Sequence, residues 1–207
     1  MPKTIAFVRR PGPSFNQAIS ANPKNQPINV KRACLQHECY IAALEETGVE
    51  IVLLPAAYEY PDAPFVEDTT VVFDHVALAC PNKEKSRRGE GASIHKEIKN
   101  YRTIKTLPHH VTLDGGDVLN TGGKIFVGIS SRTNLEAVNE LAKFTKKPVV
   151  PVKVLSGLHL KTSVSYLGKN ILVLDPSSVD TTPLHEFKWI ESSKSNRFFA
   201  NCLAIGK

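Results

Sequence analysis

Apolar positions along the chain come in short blocks divided by polar loops. Thr4 to Val8 predicts a brief strand, and Arg10 to Asn29, with four prolines and Gly12, predicts a long loop, because proline withholds the donor that a helix or ladder needs. From Val30 to Thr47 the residues Ala33, His37, Tyr40, Ile41 and Leu44 recur at helical spacing, and Gly48 stands at the expected stop. Val49 to Leu54 then reads as a buried strand.

A second pattern follows and repeats. Phe65 to Val72, a turn at Asp74 and His75, and Val76 to Cys80 predict a hairpin, with a helix starting near Ser86. Leu113 to Leu119, Gly122 and Gly123, and Ile125 to Ile129 predict another, followed by a helix from Thr133 to Phe144 and a strand from Val149. Leu158 to Leu167, Gly168 to Asn170 and Ile171 to Leu174 predict a third. Asp68, Asp117 and His159 take corresponding positions at the openings of the three hairpins, roughly forty to fifty residues apart, as in a repeat architecture. Phe198 to Ile205 reads as the opening strand of a further hairpin that has no return strand before Lys207. An unpaired apolar edge is normally avoided, so at least one unit is expected to lie outside these residues.

The 207 residues, 42% hydrophobic and 22% charged, have ordinary globular composition, which excludes disordered, collagen-like and disulfide-scaffold classes. The net charge of +6 is scattered in ones and twos, so no nucleic-acid stripe is expected. Apolar runs such as Ile51 to Pro55 are too short to cross a bilayer. Met1 to Arg10 lacks a secretory leader pattern, so a cytoplasmic protein with reduced cysteines is expected.

Carboxylates gather where the hairpins open: Asp62, Glu67 and Asp68 in the first, Asp114 and Asp117 in the second. They suit a cationic ligand, although solvated turn residues would look the same. In Leu113-Asp114-Gly115-Gly116-Asp117-Val118 the two glycines let a ligand approach the backbone, or simply form a tight turn. His159 is a candidate general acid and base. His109 and His110 make a poor metal pair because neighbours on an extended chain face opposite ways, and no metal site is expected. Arg87, Arg88 and Arg132 each follow a hairpin, where a guanidinium fork can grip a carboxylate. Carboxylates for a cation beside arginines for an anion point to an amino acid with a positively charged side chain. The four cysteines include no Cys-x-x-Cys pair, so neither zinc nor dithiol chemistry is signalled.

Phe65-Val66-Glu67-Asp68-Thr69, Ser86-Arg87-Arg88-Gly89-Glu90, Leu113-Asp114-Gly115-Gly116-Asp117, Ser131-Arg132-Thr133-Asn134 and Leu158-His159-Leu160-Lys161-Thr162, in this order, resemble the dimethylarginine dimethylaminohydrolase family of the guanidino-group modifying (amidinotransferase) superfamily. The resemblance implies a five-bladed α/β propeller of ββαβ units, with residues 1–207 a single C-terminally truncated domain whose last blade is incomplete. It also implies hydrolysis of asymmetric dimethylarginine and monomethylarginine to citrulline and a methylated amine, without a cofactor. Asp62, Glu67 and Asp68 take the positions of substrate contacts, Arg87 and Arg132 those of the arginines holding the α-carboxylate, and Ile19 that of a lid residue. Asp114 takes the position of the acid that orients the catalytic histidine, and His159 that of the histidine itself. The family's nucleophile, a cysteine in a Gly-rich segment near the C-terminus, has no match here. Cys202 falls on a preceding strand position without chemistry. An arginine deiminase-like hydrolase and a non-catalytic arginine-binding regulatory protein are the alternatives. The partner implied is a small molecule, with no nucleic acid and no membrane; association as a homodimer stays open.

Overall fold

The computed structural model describes residues 4–19, 27–192 and 194–206. β1 (Ile5–Arg9) lies parallel to β2 (Glu50–Leu54), with Ile5 opposite Glu50 and Arg9 opposite Leu54. Between them runs α1 (Val30–Glu46), which starts where the Asn29 side chain accepts the Arg32 N–H and ends at Gly48, whose φ of +80° suits a residue without Cβ. Pro13–Gln17 of the preceding loop forms a 3-10 turn, while residues 20–26 of that expected loop lie outside the described residues.

Three units of one design follow. β3 (Thr70–Val72) pairs antiparallel with β4 (Val76–Ala79), α2 (Ala92–Ile98) crosses over, and β5 (Thr103–Thr106) joins β4 in parallel. β6 (Val118–Asn120), β7 (Ile125–Ile129), α3 (Glu136–Ala142) and β8 (Val149–Lys153) repeat that order. β9 (Val164–Gly168), β10 (Ile171–Leu174) and β11 (Lys188–Glu191) repeat it again, with a 3-10 turn at Thr182–Leu184 in the helix's place. β1, α1 and β2 match the second half of such a unit. The architecture is therefore an α/β propeller of ββαβ repeats, and four sheets of the expected five are present among the described residues.

Side-chain alternation explains how the units stack. Val118, Ile125 and Val127 pack with Val71 and Leu78 of the preceding unit, whereas Leu119 and Phe126 point the other way and pack with Val164, Leu172 and Leu174 of the following one. A sheet covered on both faces needs apolar residues on both, which is why these strands read as continuous apolar runs. Ala77 faces a third cluster containing Leu54, Ile94 and Ile98, which joins β2 to the next unit.

Several expected boundaries shift. The stretches predicted as strands from Phe65 and Leu113 open as 3-10 turns, Val66–Thr69 and Gly115–Asp117, before short strands begin at Thr70 and Val118. Leu160–Thr162 does the same ahead of β9. The helix placed near Ser86 begins at Ala92, after a 3-10 turn at Lys85–Arg87. The helix placed over Thr133 to Phe144 is confined to Glu136–Ala142. Phe198 to Ile205 is not a strand: Lys194–Ala200 is 3-10 helical, residues 201–206 join no ladder, and Phe198, Phe199 and Leu203 are exposed. No helix among the described residues is long and apolar enough to cross a membrane.

Candidate active site

The 3-10 turns that open successive units pack against one another at one end of the propeller. A tight turn there carries several side chains toward the common axis, which an extended strand, alternating its faces, could not do. Beside them is a cavity of about 170 Å³, lined by Ile19, Asp62, Phe65, Glu67, Asp68, Arg87, Gly116, Arg132, Leu158, His159, Lys161, Thr162 and Asn201. Seven of the eight residues that the resemblance assigns to a site thus line one cavity, and the eighth, Asp114, stands directly behind His159.

His159 precedes its turn as the capping residue, and Asp114 does the same in the unit before. The true equivalence along the repeat is therefore between Asp114 and His159; Asp68 lies inside its turn and Asp117 ends its own. Asp117 does not line the cavity. Its carboxylate is buried and takes hydrogen bonds from Ser130, Thr133 and the Leu160 N–H.

Asp114 is fully buried; one oxygen meets His159 Nε2 at 3.0 Å and the other accepts from Asn82 Nδ2 at 2.7 Å. Burial works against its charge, but the bonds from His159 and Asn82, with the nearby positive charges, outweigh it and hold the carboxyl below its ordinary value. Burial likewise resists a charged imidazole, yet the Asp114 hydrogen bond and the charges of Asp68 and Asp117 raise His159 above its ordinary value. With Nε2 committed to Asp114, proton exchange falls to Nδ1. A Cβ built on Gly116, itself a cavity residue, would stand 3.1 Å from that Nδ1, 2.9 Å from His159 Cγ and 2.7 Å from Asp68 Oδ1. The glycine is what leaves room between imidazole and carboxylate.

Arg87 lines the cavity with its fork already engaged. Nε and Nη2 meet the two oxygens of Glu90 at 3.0 and 2.6 Å, and Nη1 meets Asp68 at 2.7 Å. Burial opposes its charge, but these carboxylates overcome that and hold it above its usual range. Arg132 is held more loosely, 3.6 Å from Glu84 and 3.9 Å from Asp114. Asp62 Oδ1 accepts the Ile19 N–H at 3.0 Å, and burial pushes its carboxyl up against that bond and the Arg87 charge. Lys161 reaches Glu67 at 2.6 Å.

Asp68, Asp114 and His159 offer ligand atoms within 4.8 Å of one another, spacing that a metal ion could bridge. Arg87 already supplies positive charge 2.7 Å from Asp68 and 3.9 Å from Asp114. Asn82, Glu90 and Asn201 escape a reading of the sequence. Asn82 matters through Asp114, 32 positions away, and Glu90 through Arg87, three positions before it in a turn that the local pattern does not announce. Asn201 lines the cavity; Cys202 is exposed, its backbone N–H bonded to Ser165.

Residues 2–194 match the family described as N,N dimethylarginine dimethylhydrolase, eukaryotic. An N(G),N(G)-dimethylarginine dimethylaminohydrolase of Streptomyces coelicolor is 36% identical over 84% of this chain and 69% of its own length. The enzyme of that name from Pseudomonas aeruginosa is 28% identical over 97% of this chain and 81% of its own length. A crystal structure of the Pseudomonas aeruginosa enzyme, a cysteine-to-serine variant complexed with citrulline, superposes with a TM-score of 0.91, covering 98% of this chain and 81% of that one at 26% identity. With the match running through nearly the whole chain, and with the cavity built from the motifs that carry the resemblance, the chain belongs to the dimethylarginine dimethylaminohydrolase family of amidine hydrolases.

Proposed function

We propose that the cavity binds an N-methylated L-arginine, asymmetric dimethylarginine or monomethylarginine, and provides the acid–base and carboxylate machinery for its hydrolysis to citrulline and a methylamine. The observation that carries this reading is the gathering of Asp68, the Asp114-paired His159 and Arg132 around one small cavity. A cationic guanidinium fits beside the first two, and the α-carboxylate fits at Arg132. Arg87, bound to Glu90 and Asp68, contributes charge more than a free fork, while Asp62 and Ile19 close the α-amino end.

In the proposed reaction a thiolate bonds to the guanidinium carbon, and the bond from that carbon to the methylated nitrogen breaks as His159 gives its Nδ1 proton to the departing amine. His159 then takes one proton from water as its oxygen bonds to the same carbon, the carbon–sulfur bond breaks to release citrulline and thiolate, and the water's second proton passes to solvent, where the released amine takes it up. Asp68 steadies the positive charge through both steps. None of Cys34, Cys39, Cys80 and Cys202 lines the cavity. The Cys80 thiol is pushed far up by burial and by the charges of Asp114 and Asp68, the opposite of an activated nucleophile.

We therefore assign the nucleophile to a segment outside residues 1–207, one that completes the single propeller domain. Its place is the free edge of β1. β4, β7 and β10 each have neighbours on both sides, whereas β1 pairs, among the described residues, with β2 alone. Arg9, at the end of β1 and fully buried, gives Nη2 to Ser93 while Nε and Nη1 have no hydrogen-bond partner among the described residues, so two donors are available to an added strand. The missing thiol also favours a second reading, a protein that binds methylarginine without turning it over. Calorimetry and citrulline assays on residues 1–207, and on a form extended by a relative's C-terminal segment, decide the matter. Binding without turnover in the short form and turnover in the extended one support the proposal. Turnover by the short form that vanishes in Cys202→Ser overturns the assignment of the nucleophile, and absence of binding in both forms overturns the substrate.

A further inference from the structure

Asp117 is fully buried and lies outside the cavity, yet every hydrogen bond to its carboxylate comes from a neighbour of a cavity group. Oδ1 accepts the Leu160 N–H at 2.8 Å, one residue after His159. Oδ2 accepts the hydroxyls of Ser130 and Thr133, each at 2.7 Å, which bracket Arg132 along the chain. Both hydroxyls are acceptors in their turn. Ser130 Oγ takes the N–H of Arg132 at 3.0 Å and that of Thr133 at 3.3 Å, and Thr133 Oγ1 takes the Asp114 N–H at 3.2 Å.

The direction of each proton follows. A hydroxyl has one hydrogen, and with its lone pairs engaged by backbone N–H groups that hydrogen is left for Asp117; the Leu160 N–H can only donate. Three donors thus meet two oxygens, an arrangement that suits a carboxylate. A carboxamide would turn an NH₂ group toward a donor. Burial pushes the Asp117 carboxyl up, while the Thr133 and Ser130 hydroxyls, the Leu160 N–H and the His159 charge act against it. Burial prevails in that balance and leaves the carboxyl above its ordinary value, while the three convergent donors match the acceptor pattern of a carboxylate. Gly128 makes the approach feasible: a Cβ there would stand 2.5 Å from Asp117 Oδ1 and 2.7 Å from Leu160 Cβ.

We infer that Asp117 is a positioning residue that sets His159, Asp114 and Arg132 in mutual register across the junction between the β6–β8 and β9–β11 units. It acts through Leu160, Thr133 and Ser130 and touches no ligand. The inference rests on the reading of the cavity as a methylarginine site for its functional meaning. Its geometric content stands on the hydrogen bonds alone.

The test uses residues 1–207 and three variants, Asp117→Asn, Thr133→Val and Thr133→Ser, followed by thermal unfolding, calorimetry with asymmetric dimethylarginine and NMR titration of the His159 ring without ligand. Asp117→Asn is expected to weaken binding tenfold or more and to move the His159 titration to lower pH. Removal of a charge alone would move that titration, so the neutral pair is decisive. Thr133→Val should weaken binding severalfold and alter the His159 ring signals, and Thr133→Ser, which keeps the hydroxyl, should restore both. A folded Asp117→Asn with unchanged affinity, or equal behaviour of the two Thr133 variants, overturns the inference; if Asp117→Asn does not fold, the two Thr133 variants alone settle it. Wild-type protein that binds no methylarginine while the His159 signals respond as described would sink the functional reading and leave the positioning role standing.

Discussion

Nε2 of His159 and Oδ2 of Asp114 lie 3.0 Å apart across 45 positions of chain, joining the capping residues of two successive repeats in one buried hydrogen bond. The repeat therefore places the two partners of this hydrogen bond at the same point of neighbouring units.

The pair makes stability depend on pH in two directions. His159 is raised above its ordinary 6.5, so its contribution is complete below that value and is lost as pH climbs through the higher folded value. Asp114 is depressed below 3.8, so its contribution is present above that value and is lost as pH falls through the lower folded one. Asp114→Asn should cost about 1.5–3 kcal/mol, the range for a hydrogen bond to a charged group, with the largest difference from wild type between roughly pH 4 and 6.5. Denaturant melts across pH measure it; a difference independent of pH would remove the charge from this pair.

Asp68 should contribute to the affinity for a guanidinium ligand. Asp68→Asn keeps the shape and loses the charge, and should weaken methylarginine binding by about 1.5–3 kcal/mol. Calorimetry returning the wild-type affinity would place the guanidinium elsewhere.

Gly115 and Gly116 are adjacent, yet their alanine variants should fail differently. A Cβ on Gly115 collides with the backbone oxygen of Glu67, which has no room to yield, so Gly115→Ala should destabilise the fold by about 1–3 kcal/mol. A Cβ on Gly116 meets the side chains of Asp68 and His159, so Gly116→Ala should lose ligand binding with a smaller effect on unfolding. Equal losses of stability with equal affinities would contradict this division.

Recognition of the α-carboxylate should depend on the fork of Arg132 and not on its charge alone. Arg132→Lys keeps the charge and loses two-point geometry. Affinities for asymmetric dimethylarginine and its decarboxylated analogue should converge in this variant. Undiminished discrimination would assign the carboxylate to another group.

Local pattern determined a good deal here. α1, its stop at Gly48, the hairpin turns at Gly122 and Gly168, and the return strands from Val76, Ile125 and Ile171 were legible, because helical and strand periodicities and turn glycines are properties of a few neighbouring residues. The family resemblance also carried seven lining residues and the Asp114–His159 pair. The 3-10 turns at Val66–Thr69, Gly115–Asp117 and Leu160–Thr162 were not legible, since a short apolar run reads the same whether it is extended throughout or opens in a tight turn. β11 was missed because Lys188–Glu191 is exposed along its whole length and lacks the alternation of a half-buried strand. Only the tertiary structure decided that Asn82 completes Asp114 and that Asp117 faces Leu160 instead of the cavity. Those outcomes depend on how neighbouring units stack, through contacts dozens of residues apart that leave no periodic trace along the chain.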